Sequence, residues 1–233
     1  MEFIQVLILF FWNLILGLPS IIVHGSQNIY LKYTAKSRIQ VSSQEKTLIV
    51  LIHGRNGHST NFNPLIGALK TGSRILPIEL GSNSTLSVYD EVELVKEQLE
   101  PYINSVEHII LIGLSKGGVT AVLFQSMYPN KIFKVITISS PLKGTKVANY
   151  HPTCLKTRSE LGYKSNLAKH IKSTANVSIL FSIVPTYDHI IIPTSSTSLK
   201  GSTSHVYRGL YSHAGILHSP RVLNKVLEWV YSN

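Results

Sequence analysis

Uninterrupted apolar runs alternate with stretches of helical periodicity along most of this chain. Thr47–Ile52 is apolar after its first residue, as a strand covered on both faces of a parallel sheet requires. It leads into the turn-rich segment His53–His58, after which Phe62, Leu65, Ile66 and Leu69 recur at helical spacing and predict a helix over 61–70. Ile75–Leu80 reads as the next strand. Val88, Val92, Val95, Leu99 and Ile103 mark one side of an amphipathic helix over 88–102, with Glu91, Glu93, Lys96 and Glu97 mostly elsewhere. A strand at 108–112, a helix at 118–127 and a strand at 134–139 follow. Segments 177–184 and 204–208 read as the last strands, 221–231 as the closing helix, and 28–33 and 38–42 as short opening strands. This alternation predicts an α/β protein with a mostly parallel central sheet and helices on both faces.

Ahead of this pattern, Phe3–Val23 is apolar but for a few positions such as Gln5, Asn13 and Ser20. About 20 helical residues span the ~30 Å hydrocarbon core of a bilayer, so a membrane anchor is one reading. A cleaved secretory signal is the other, with Val23, His24 and Gly25 preceding a cleavage point at Ser26. Only Met1 and Glu2 precede the apolar stretch. The first basic residues, Lys32, Lys36 and Arg38, lie after it, which by the positive-inside tendency favours a cytoplasmic body. Both readings divide the chain into a leader, residues 1–25, and one domain, residues 26–233, that is membrane-associated or secreted.

Composition narrows the function classes. A chain of 233 residues, 44% hydrophobic and 15% charged, suits a single globular domain with an apolar segment added. The net charge of +10 raises nucleic acid as a partner, but the basic residues are dispersed and no nucleic-acid motif surrounds them. A solvated surface is the first expectation, and attraction to a membrane surface or an acidic partner the second. The lone Cys154 closes no intramolecular disulfide, and no Cys/His spacing forms a zinc site. No metal, cofactor or obligate protein partner is expected.

The chemistry is concentrated around Gly113-Leu114-Ser115-Lys116-Gly117. This is a G-x-S-x-G elbow, with an apolar strand ending on its first glycine and a helical pattern beginning after its serine. A serine nucleophile needs a base, and the base needs an acid to hold its tautomer. Of the two aspartates, Asp90 precedes the serine, whereas Asp188 follows a predicted strand. Glu160 is the other acid between the serine and the candidate bases, and it lies at no strand end. Among His189, His205, His213 and His218, His213 sits in the loop between the last strand and the closing helix, where the base belongs, and His218 is its rival. Backbone N–H groups of Lys116 and Arg55 are the expected oxyanion donors. His53 and His58 are read as braces of their loop.

These motifs resemble the lipase-like α/β-hydrolases, specifically bacterial triacylglycerol lipases and the lipase-like domain of GPI inositol-deacylases. The resemblance runs from His53-Gly54-Arg55 through the elbow, Ile138–Thr145 and Tyr187–Pro193 to His213–Pro220. Leu114 departs from it, since lipases often place a histidine there. The resemblance implies the α/β-hydrolase fold and cleavage of carboxylic esters, lipids foremost, through an acyl-enzyme without a cofactor. A thioesterase or acyltransferase using the same residues is the second reading, and a membrane-tethered, non-catalytic binding protein the third. Leu142–Ile171 is where a lid would lie, with Tyr150, Leu155, Leu161, Tyr163 and Leu167 facing an acyl chain or serving as ordinary packing.

Overall fold

The computed structural model describes residues 46–81, 86–150 and 159–232, together with Ile4, Leu7, Ile8 and Phe11. The leader boundary, the two opening strands, Leu155 and Cys154 lie outside the described residues. Among the described residues no helix is long and apolar enough to cross a membrane.

Six strands form one parallel sheet: β1 (Thr47–Ile52), β2 (Arg74–Ile78), β3 (His108–Leu114), β4 (Ile132–Ile138), β5 (Leu180–Pro185) and β6 (Thr203–Tyr207), in the order β2-β1-β3-β4-β5-β6. Alternate strand residues serve opposite faces. Leu48, Val50 and Ile52 of β1 join Leu111 of β3 in one core, and Ile49 and Leu51 join Ile110 and Ile112 in the other. The first core is covered by α2 (Val88–Ile103), α3 (Lys116–Met127) and α5 (Asn166–Thr174), and the second by α1 (Asn63–Ala68) and α6 (Pro220–Tyr231). A short α4 (Lys146–Asn149) precedes α5. The all-parallel sheet with both faces covered explains why β1 and β3 read as unbroken apolar runs.

Most departures from the sequence reading lie at element ends. The helix expected over 61–70 is a 3-10 turn, Ser59–Phe62, followed by α1, because Pro64 favours a helix start and His58 caps the turn before it. The strand expected from 177 begins at Leu180 after a 3-10 turn over Val177–Ile179, capped by the Asn176 side chain. One departure is more than a boundary. Glu91 belongs to the buried face of α2 rather than its polar side. It is three residues from Val88 and four from Val95, so helical geometry puts it on their face.

Strand order reverses at β1, since β2 lies on one side of it and β3 on the other. A crevice therefore opens at the carboxyl ends of β1 and β3, where parallel α/β sheets bind ligands.

Candidate active site

Ser115 stands between the end of β3 and the first residue of α3, with φ 55° and ψ −123°. A non-glycine residue at this φ is strained, at a cost of order 1–3 kcal/mol. The surroundings hold it there, including the Ser115 amide, which donates to the Ile138 carbonyl at 2.9 Å. The motif glycines are dictated by close approach of backbone. A Cβ on Gly117 would lie 2.1 Å from the Ile52 carbonyl oxygen, and one on Gly113 would lie 2.4 Å from the Gly118 nitrogen. Any side chain at either position would push α3 away from the sheet and move Ser115 with it.

The sequence-selected residues come together here. His213 Nε2 is 2.8 Å from Ser115 Oγ, and His213 Nδ1 is 2.7 Å from Asp188 Oδ2. Asp188 follows β5 in a tight loop, and its Oδ1 accepts from the amides of Ile190 at 2.8 Å and Ile191 at 3.0 Å. An ionised carboxylate only accepts, so Nδ1 carries the imidazole proton and Nε2 is left to accept from the serine hydroxyl. Burial alone would raise the Asp188 carboxyl. The adjacent His213, its hydrogen bond, the Ser139 hydroxyl and the Ile190 amide outweigh burial and hold it below the ordinary aspartate value.

The remaining histidines fall elsewhere. His205 lies within β6, and His218 ends the 3-10 turn Gly215–His218 ahead of α6. His189 packs edge-on to His213, ring centroids 6.5 Å apart. His53 is buried: Nδ1–H donates to the Gly54 carbonyl at 2.9 Å and Nε2 accepts from the Leu80 amide at 3.3 Å. His58 caps the 3-10 turn through Nδ1, so both histidines brace their loop. Glu160 accepts from the Val88 amide at the start of α2.

Two features around the site escape pattern reading. Ser139, at φ 47° just past β4, donates its hydroxyl to Asp188 Oδ2 and lies 3.4 Å from His213 Nδ1. Behind Ser115, the Lys116 ammonium forms a 2.8 Å ion pair with Glu91, the two side chains 5% and 0% exposed. The same ammonium donates to the Leu86 carbonyl at 2.5 Å, and Thr120 donates to the other Glu91 oxygen at 2.6 Å. Helix α2, with Leu86 just ahead of it, and helix α3 must pack together before this cluster exists. Only the position of Glu91 on the apolar face of its helix signalled it.

A cavity of about 440 Å³ opens over Ser115 and His213. Arg55, after β1, and Lys116, at the start of α3, line it beside the serine, while Val147, Ala148, Leu161 and Ile190 supply apolar wall. Of the lid candidates, Leu161 faces this cavity, Leu167 packs in the core and Tyr150 is exposed. Among the described residues no group of three or more His, Cys, Asp or Glu side chains is placed to hold a metal ion.

The chain has the α/β-hydrolase fold. It superposes on a monoacylglycerol lipase of Paleococcus ferrophilus with a TM-score of 0.59 and 20% identity, covering 78% of this chain and 93% of that one. It also superposes on an α/β hydrolase enzyme from the metagenome of lagoon sediments at Mar Chica, Morocco, with a TM-score of 0.57 and 24% identity, covering 80% and 91%. In sequence it is similar to the sn-1-specific diacylglycerol lipase ABHD11 of Mus musculus, 30% identical over 104 residues. That match takes in 42% of this chain, and it spans about a third of the length of the mouse protein. No protein-family model matches the chain.

Proposed function

We propose that the protein is a serine hydrolase of carboxylic esters, lipids foremost, with Ser115 as nucleophile, His213 as base and Asp188 as the acid that orients it. The observation that carries this reading is the continuous pair of contacts from Ser115 Oγ through His213 to Asp188, at 2.8 and 2.7 Å. Ser115 Oγ attacks the ester carbonyl carbon while His213 Nε2 takes its proton. The charge gathering on the carbonyl oxygen is met by the backbone N–H groups of Lys116 and Arg55. His213 returns the proton to the departing alkoxide as the ester bond breaks, leaving an acyl group on Ser115. A water molecule, deprotonated by the same imidazole, then releases the acid. Preference for a lipid ester is supported by the apolar wall of the cavity and by the lipases among the similar proteins.

The test is labelling of the protein with a fluorophosphonate probe beside Ser115→Ala, with turnover of p-nitrophenyl esters of increasing chain length. Labelling and turnover lost together in Ser115→Ala is the expected result. Full turnover in that variant refutes the assignment, and turnover confined to the shortest esters refutes the lipid preference.

A further inference from the structure

A second cavity, of about 280 Å³, lies on the surface at α5 and is lined by Lys143, Tyr163, Lys164, Ala168, Lys169 and Lys172. Three of these lysines fall within residues 164–172, in or just before α5, and the fold brings Lys143 round to the same hollow. None of the four ammonium groups is paired with a carboxylate among the described residues. Lys164 stacks over the Tyr163 ring at 5.5 Å. Lys143 is depressed below the usual lysine range, first by burial and then by Lys172, so these charges are near enough to feel one another. The local composition offers little to neutralise them. Residues 143–176 hold seven Lys and Arg against one acid, six of the ten excess positive charges of the chain. That acid, Glu160, is turned towards the Val88 amide.

The position of the hollow relates it to the ester site. Thr145 accepts from the Tyr163 amide at 3.1 Å and donates its own amide to the Leu161 carbonyl at 2.8 Å, while the Lys164 amide donates to the Lys143 carbonyl at 3.0 Å. Thr145 and Leu161 line the cavity over Ser115, and Lys143, Tyr163 and Lys164 line the lysine hollow. One short backbone clasp thus separates the two. Its outer side joins α5, which buries Leu167, Ala168 and Ile171 and leaves Lys169 and Lys172 exposed.

We infer that this face, centred on Lys143, Lys164, Lys169 and Lys172, docks the protein onto an anionic lipid surface and presents the cavity over Ser115 to it. Clustered lysines attract anionic headgroups electrostatically, and an amphipathic tyrosine among them suits the wet edge of a bilayer. The inference rests on the lipid part of the proposed function, but not on the chemistry at Ser115.

Flotation of the full chain with vesicles of ether-linked phosphatidylcholine, alone or with about a third ether-linked phosphatidylglycerol, tests it without any ester to cleave. Binding to the anionic vesicles should exceed binding to the neutral ones and fall as salt is raised. Replacing Lys164, Lys169 and Lys172 together by glutamate should weaken anionic binding at least roughly 100-fold, about fivefold for each lysine charge removed with repulsion by the added carboxylates on top, and leave neutral binding unchanged. A control carrying Lys200→Glu, Arg208→Glu and Arg221→Glu has the same net charge and should lose far less. Equal losses in the two triple variants, no preference for the anionic vesicles, or displacement by millimolar inorganic phosphate at constant ionic strength would each overturn the inference. Failure here with intact ester turnover refutes the docking face alone; intact docking with no turnover refutes the hydrolase alone.

Discussion

Glu91→Gln is the sharpest probe of how the nucleophile turn is held. The substitution keeps the size of the side chain and an oxygen for the Thr120 hydroxyl, but removes the negative charge 2.8 Å from the Lys116 ammonium. Lys116 is 5% exposed, so water cannot replace the lost partner, and the Leu86 carbonyl is the acceptor that remains. Removing one member of a buried pair typically costs about 3–5 kcal/mol, because the other charge stays desolvated. For a domain of this size each kcal/mol moves the melting temperature by roughly 2–4 °C, which predicts a fall of about 6–20 °C. Urea unfolding at neutral pH, with midpoint and slope both recorded, gives the free energy directly. The double variant Glu91→Leu with Lys116→Met removes both charges and should recover most of the loss, since apolar replacement of a whole buried pair is often close to neutral. Because the Lys116 backbone N–H survives in the double variant, ester turnover should return with stability. A loss below about 1 kcal/mol in Glu91→Gln, or a double variant no more stable than the single, would refute the reasoning.

Ser139→Ala should lower kcat/KM about 10–100-fold, the worth of a charge-assisted hydrogen bond to Asp188, while Ser139→Thr retains part of it; steady-state kinetics of the folded variants decide. Gly117→Ala should fail to fold or lose several kcal/mol, because its Cβ would meet backbone rather than a movable side chain; expression and thermal melting show which. His218→Ala should keep ester turnover and His213→Ala abolish it, and the reverse result would move the base to the rival histidine. Burial holds His53 below its ordinary value of 6.5, so below that pH the unfolded chain binds more protons than the folded one. Stability should therefore fall as pH drops through 6.5 towards the depressed folded value, and His53→Gln, less stable at high pH, should show a flatter decline in melting temperature between about pH 7 and 5. An unchanged slope would mean that His53 is not held neutral.

Much of the architecture was legible in the sequence, and the three residues proposed for the site could be selected there. Strands buried on both faces must be apolar throughout, so β1 and β3 announced themselves as continuous runs. The elbow glycines leave a mark because two backbones meet where a side chain would stand. Asp188 could be selected because so few acids follow the serine in a sequence with two aspartates. Element ends were less legible, since capping by His58 and Asn176 converts the first turns of expected elements into 3-10 turns. The basic residues read as dispersed, yet four of them share a hollow.

The sequence by itself determined the order of strands and helices, the strained turn at Ser115 and the chain order of serine, aspartate and histidine. These are local properties: periodicity, the absence of a Cβ, the type of residue at a strand end. Tertiary structure alone decided that Ser139 supports Asp188, that Glu91 is buried against Lys116, and that Lys143 lines the same hollow as Lys164, Lys169 and Lys172. Each of those depends on side chains from separate elements meeting at hydrogen-bond or Coulomb range, and no local pattern records a meeting between residues far apart along the chain.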